Sequence, residues 1–247
     1  MISYHPRDIR ANMLLGLGMP RKLADRICDG PIGQSGRFTF RAADEAGDAE
    51  ILLYDYIGYD WWSDTGITAL SFKQNLDSLG DVKRLTVRIN SPGGDVWDGM
   101  AIYNQLSQFP AVTTVVIDGL AASIASVIAM AGDKIQAAEV SQLMVHDAWT
   151  IVMGNEQDLR EMADVLSKID GQIAETYATR SGRTAEEFRV LQNKDTYLTA
   201  QEALELGLID EVIGTRKTKQ ESAAAGQRAS RRVRNQISLL RARLAIS

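Results

Sequence analysis

Asp118-Gly-Leu-Ala-Ala-Ser123-Ile-Ala-Ser-Val-Ile-Ala-Met-Ala-Gly132 is the stretch on which the reading of this chain turns. A β-branched run, Val112 to Ile117, leads into Gly119; small residues follow, and then a nearly all-apolar segment. The pattern predicts a strand, a tight turn at the glycine and a buried helix with Ser123 near its start. A hydroxyl at that place lies among unpaired backbone N–H groups, at the positive end of the helix dipole. Negative charge building up on a substrate oxygen is stabilised there. The same serine also reads as an ordinary N-cap or a small packing residue. The stretch alone leaves both readings open.

Composition sets the frame. The chain has 247 residues, 45% of them hydrophobic and 24% charged, which is ordinary globular usage with enough length for a sizeable core. The single cysteine, Cys28, excludes an internal disulfide framework and fits a reducing compartment. The first residues, Met-Ile-Ser-Tyr-His-Pro-Arg-Asp, lack the basic-then-apolar layout of a signal peptide. The longest nearly apolar run, Gly119 to Gly132, is 14 residues, short for a membrane span. These features predict a cytoplasmic protein without membrane association. The formal charge of −5 is unevenly spread: Thr215 to Ser247 holds nine Lys or Arg against one acidic residue, Glu221. Such an arm suits an acidic partner or nucleic acid. No aromatic interleaves its arginines, as a base-stacking platform requires, so a solvated tail is the competing reading.

Taken in order, residues 1–48 are weakly patterned and read as an N-terminal extension, with a short helix from Arg21 to Cys28. Glu50 to Ile57 reads as a first core strand, and Tyr59 to Gly66, with Trp61 and Trp62, as a loop. Thr68 to Leu79 has helical spacing. Arg84 to Asn90 is a second strand, Ser91-Pro-Gly-Gly-Asp95 a turn, and Val96 to Leu106 a helix. After the central stretch come short strands at Lys134–Ala138 and Leu143–Val145. A long amphipathic helix from Asn155 to Thr179 carries the stripe Leu159, Met162, Leu166, Ile169, Ile173 and Tyr177. Capping boxes open helices at Thr184 and Thr199, and Leu208 to Ile213 is a last strand. Strands alternating with helices predict an α/β domain over 49–214. The tail, 215–247, reads as basic and partly helical or disordered, with Ile237, Leu240 and Leu244 at helical spacing.

Three polar residues suggest chemistry. Ser123 is one. His146 ends an apolar strand and is one of only two histidines, so histidine catalysis inside the fold must use it. Asp195 precedes the second capping box. Serine is a poor nucleophile unless a base takes its proton; an imidazole does this near neutral pH, and a carboxylate holds the imidazole's tautomer. Each residue alone also has a structural reading, as a cap, a strand-end histidine and a turn aspartate. The Gly-Gly turn at Gly93-Gly94 exposes backbone N–H groups with no side chain in the way. It suits half of an oxyanion hole, with the N–H of Ile124 as the other half. It also suits the cradling of an extended peptide by Gly93, Gly94, Asp95 and Val96. A plain tight turn is the alternative.

Ile89-Asn-Ser-Pro-Gly-Gly-Asp-Val-Trp-Asp-Gly-Met-Ala-Ile-Tyr103 resembles the glycine-rich signature of the Clp protease proteolytic subunit family. Gly119-Leu-Ala-Ala-Ser123, Met144-Val-His146 and Asp195-Thr-Tyr-Leu-Thr-Ala-Gln-Glu-Ala, followed by Gly207-Leu-Ile-Asp, resemble its nucleophile, histidine and aspartate segments in family order. The resemblance covers about residues 50–213. It implies a serine endopeptidase with a crotonase-like fold of repeated ββα units, assembled as a homo-oligomer of heptameric or stacked rings. Ser123 is then the nucleophile, His146 the base and Asp195 the orienting acid, with Gly94 and Ile124 giving the oxyanion-hole N–H groups and no metal or organic cofactor. The sequence departs from the family in having Ala148 where a proline usually stands two residues after the histidine, and in a less glycine-rich Thr150–Asn155. The extension, the tail and segments such as Ala-Trp-Thr-Ile-Val-Met-Gly-Asn are more similar to the Clp-related head maturation (prohead) proteases of tailed bacteriophages. That branch implies capsid and scaffold proteins as substrates; the housekeeping branch implies a Clp-type ATPase as partner. A crotonase-type acyl-CoA enzyme and a non-catalytic shell or scaffold protein are the alternatives from other classes.

Overall fold

The computed structural model describes residues 37–60 and 65–214. The expectations for Arg21–Cys28, Trp61, Trp62 and the basic tail lie outside these residues. In chain order the elements are β1 (Arg37–Arg41), β2 (Asp48–Tyr54), α1 (Ala69–Asp77), β3 (Arg84–Ser91), α2 (Val96–Ser107), β4 (Val112–Ala122) and α3 (Ile124–Ala129). They continue with β5 (Lys134–Ala138), β6 (Gln142–Val145), α4 (Glu156–Ser181), α5 (Ala185–Gln192), β7 (Thr196–Thr199), α6 (Ala200–Glu205) and β8 (Glu211–Ile213). The fold is α/β, as the alternation predicts, and accords with the crotonase-like class.

One sheet runs β1-β2-β3-β4-β5-β8, with β6 and β7 branching from β4. Strands β2, β3, β4 and β5 are parallel, and helices α1, α2 and α3 connect them in turn. Period-two alternation directs Ile51 and Leu53 of β2, Leu85, Val87 and Ile89 of β3, and Val115 and Ile117 of β4 into one buried layer. Phe72 of α1, Ile102 of α2, Ile128 of α3 and Phe188 of α5 belong to the same core. Burying an apolar side chain of this size contributes about 1.5–3 kcal/mol relative to exposure.

Strand β4 decides the site. It pairs with β5 through Thr114–Ile117 and then with β6 through Leu120–Ala122. This corrects the expected turn at Gly119. The strand runs straight through the glycine to Ala122. A Cβ there would lie 2.7 Å from Asn90 Oδ1, which accepts the Leu120 N–H at 3.1 Å, so the glycine leaves that hydrogen bond undisturbed. The expected helix is correspondingly short, six residues from Ile124 to Ala129.

Other boundaries shift for identifiable reasons. The sheet begins at Arg37, inside the segment read as extension: β1 pairs antiparallel with β2, and the Phe40 ring meets Phe72 edge-on at 5.7 Å. Strand β7, four residues with no apolar run, escapes a pattern search. The last strand shrinks to Glu211–Ile213, because Leu208 and Ile209 are buried ahead of it and Asp210 bridges to Ile135 by two backbone-directed hydrogen bonds. Along α4 the predicted stripe is buried only at Ile169, Ile173 and Tyr177, while Leu159 is exposed. No helix among the described residues is long and apolar enough to cross a membrane.

The capping boxes form as expected at Thr184 and Thr199, and a third at Asn155. Glu202 accepts the Thr199 N–H and hydroxyl at 2.8 Å each, and the backbone bond, foremost, lowers its pKa below the ordinary 4.5. A lowered folded-state pKa contributes stability that is present above the unfolded value and lost as pH falls through the folded one. Glu202→Gln keeps an acceptor and removes the charge. Thermal melts are expected to put this variant below wild type at pH 7, with the difference closing in acid.

Candidate active site

Ser123 directly follows β4, with φ 54° and ψ −131°, a backbone conformation that non-glycine residues rarely adopt and that costs on the order of 1–3 kcal/mol. Its neighbours hold it there. The Ser123 N–H donates to the Met144 carbonyl at 2.9 Å, prolonging the β4–β6 ladder by one bond. Its own carbonyl accepts the Ser126 N–H at 3.0 Å and the Ser126 hydroxyl at 2.5 Å. The Tyr177 hydroxyl lies 2.8 Å from Ser126 Oγ, closing a buried chain, and burial raises the phenol's pKa so that it stays neutral. The Ser123 side chain makes no capping hydrogen bond. The N-cap reading therefore fails on geometry.

Ser123 Oγ instead meets His146 Nε2 at 2.7 Å. The two ladders of β6 explain the meeting. Parallel pairing sets Ala122 opposite Met144, and the first residue past each strand end brings serine and histidine side by side. Antiparallel pairing sets Val145 opposite Thr196, which puts His146 beside Asp195, the residue just before β7. Asp195 also has positive φ, 48°, at the turn between α5 and β7. Its Oδ1 lies 4.0 Å from His146 Nδ1, longer than a hydrogen bond, and its side chain is 74% exposed against 16% for the histidine. The three sequence-predicted residues thus come together, with one contact closed and the other open.

Gly93 and Gly94 face this group. Gly93 has φ 90°, and a Cβ on it would lie 2.7 Å from Ser123 Cβ and 2.6 Å from the Ala122 carbonyl oxygen. Gly94 has φ 149°, and a Cβ there would lie 2.1 Å from the Ile57 carbonyl oxygen. Only glycine lets the turn pass this close to the β4–α3 junction. Among the described residues neither the Gly94 N–H nor the Ile124 N–H donates a hydrogen bond, so both are free for an anionic oxygen. The Asp95 carboxylate caps α2 by accepting the Asp98 N–H at 2.9 Å, and the Asp95 N–H donates to the Ile57 carbonyl at 2.7 Å. Val96, Ile124, Val127, Ala148, Ile173 and Tyr177 line a recess opening beside Ser123 and His146.

Sequence reasoning missed Ser126 and Tyr177 as the support of Ser123, and a charged group beside His146. There Arg189 of α5 lies 3.0 Å from Asp147 and 3.3 Å from Asp170 of α4. No local spacing joins these three residues; only the tertiary fold does. Arrangements of this kind can transfer a serine proton to an imidazole and receive an oxyanion on two N–H groups.

Comparison with known proteins adds the following. Residues 50–216 match the family model described as Clp protease. The chain is 33% identical over 140 residues to an ATP-dependent Clp protease proteolytic subunit of Bacteroides fragilis, covering 56% of this chain and 68% of that protein. It is 29% identical over 201 residues to the ATP-dependent Clp protease proteolytic subunit 1 of Protochlamydia amoebophila, covering 80% of this chain and 89% of that one. A Porphyromonas gingivalis proteolytic subunit is 31% identical over 140 residues, covering 56% and 63%.

Packing behind Ile124 generates a prediction. A Cβ on Gly99 of α2 would lie 2.1 Å from Ile124 Cγ1. Alanine favours a helix over glycine by about 1 kcal/mol, but the stiff β-branched neighbour has no room to yield. Gly99→Ala is expected to lower stability by about 1–3 kcal/mol, as overpacking does. Denaturant unfolding that shows a gain instead would mean that α2 and α3 are loosely packed.

Proposed function

The chain belongs to the Clp protease family, and on that footing we propose that it is a serine endopeptidase working through Ser123, His146 and Asp195. The 2.7 Å contact between Ser123 Oγ and His146 Nε2 carries this reading. Ser123 attacks the scissile carbonyl while His146 takes its proton. The Gly94 and Ile124 N–H groups receive the oxyanion. The imidazolium then protonates the leaving amine, and water, activated by the same histidine, releases the acyl group. Asp195, 4.0 Å from the imidazole, favours the Nδ1–H tautomer. The substrate backbone lies along Gly93–Val96, beside the small recess lined by Val96, Ile124 and Ile173.

We further propose a ring-like homo-oligomer. Trp149, Ile151 and Met153 are 72%, 85% and 92% exposed on a segment without regular structure, and Leu159 and Val165 of α4 are also exposed. So many exposed large apolar side chains close together in sequence favour burial against other copies. For substrate, our reading is the capsid and scaffold proteins of a bacteriophage head, which rests on the extension, the basic tail and the segments flanking the motifs. The second reading is general proteolysis with a Clp-type ATPase, favoured by the bacterial proteolytic subunits the chain resembles.

Purified protein incubated with phage capsid and scaffold proteins, and separately with an unfolded model protein with and without a Clp ATPase, separates the two. Discrete cleavage of the head proteins without ATPase is the expected result. Degradation of the model protein only when the ATPase and ATP are present would establish the general reading instead.

A further inference from the structure

His146 is the first residue beyond β6, and the chain from there to Asn155 has no regular structure. A base placed at the start of such a segment needs an anchor. The structure supplies one two residues on. The Ala148 N–H donates to Asp170 Oδ1 at 2.6 Å; a proline at this position would have no N–H to give. Asp170 is only 6% exposed although it carries a carboxylate. Its other oxygen lies 3.3 Å from Arg189, and the same guanidinium nitrogen reaches Asp147 Oδ1 at 3.0 Å. Asp147 directly follows His146.

Arg189 also governs the other arm. It lies on α5, from whose C-terminal end Asp195 hangs through an N–H bond to the Gln192 carbonyl at 3.0 Å. One guanidinium therefore ties the residue after His146, through Asp147, to the helix that carries Asp195. We infer that Arg189, with Asp147 and Asp170, is a positioning clamp that sets the separation of His146 and Asp195 and balances the charge around the imidazole. The inference rests on the peptidase reading above.

Charge makes the clamp separable from mere scaffolding. The groups that surround Asp147 are Asp170 from α4, Arg189 from α5, and Asp195 and His146 from the adjoining turns. Burial, followed by repulsion from Asp170, raises the Asp147 pKa, and Arg189 opposes the rise. Without the guanidinium, the Asp147 and Asp195 carboxylates beside the imidazole stand uncompensated, and uncompensated negative charge favours the protonated form of an imidazole, which cannot act as a base. Without the Asp147 carboxylate the opposite holds.

The test is the pH–rate profile of peptide hydrolysis by Arg189→Met, Arg189→Lys and Asp147→Asn, each first checked for folding by thermal melt. Arg189→Met is expected to lower kcat about tenfold, with KM little changed, and to move the acid limb up by about half a pH unit. Asp147→Asn, at a partly exposed site, moves the limb the other way. Arg189→Lys keeps the charge, leaves the limb near wild type and restores part of kcat. Unmoved limbs in Arg189→Met and Asp147→Asn, beside an active wild type, would overturn the clamp alone. A wild type that neither hydrolyses peptide nor labels at Ser123 would overturn the peptidase reading and the clamp with it. Should Arg189→Met fail to fold, the downward shift in Asp147→Asn decides the matter: its presence supports the clamp, and its absence removes it.

Discussion

The hydrogen bond from the Ser123 N–H to the Met144 carbonyl, 2.9 Å long, is the constraint on which the site depends. It is the last link of the β4–β6 ladder, formed after β4 has left β5 behind. It holds Ser123 in a strained, positive-φ conformation and aligns it with the strand that ends at His146. Because β6 also pairs with β7, a four-residue strand is enough to bring two distant segments to one point. The strain at Ser123 is offset locally by the Ser126 and Tyr177 hydrogen bonds and by the close backbone of Gly93.

The two arms of the site differ in rigidity for a physical reason. Ser123 follows a core strand and precedes a fully buried helix, so its backbone has nowhere to move. Asp195 sits at an exposed turn, and its carboxylate is largely hydrated. An exposed carboxylate is free to hydrogen-bond water, which competes with the imidazole for it. The Arg189 group lies between the histidine segment and the helix that leads to Asp195.

Much of this was legible in the sequence because the signals were local. The alternation in Arg84–Asn90, the capping boxes at Thr184 and Thr199 and the glycine pair at Gly93-Gly94 each report on their own few residues, and the structure places them where they were read. Ser123, His146 and Asp195 were legible as a set only through the family motifs, since their meeting is a product of two strand ladders. What escaped was non-local. Gly119 reads as a turn because a glycine after a β-branched run usually is one; the Asn90 side chain that packs against it lies on another strand. The exposed half of α4 carries an apolar stripe, so periodicity alone placed it in the core, although Leu159 faces solvent. The Asp147, Asp170 and Arg189 group has no spacing to betray it.

The central claim is that His146 activates Ser123. Reaction with a fluorophosphonate followed by peptide mapping tests it most directly. The account predicts a single adduct on Ser123 that is lost in Ser123→Ala and in His146→Ala. Labelling that persists in both variants, or that maps to another residue, would contradict it.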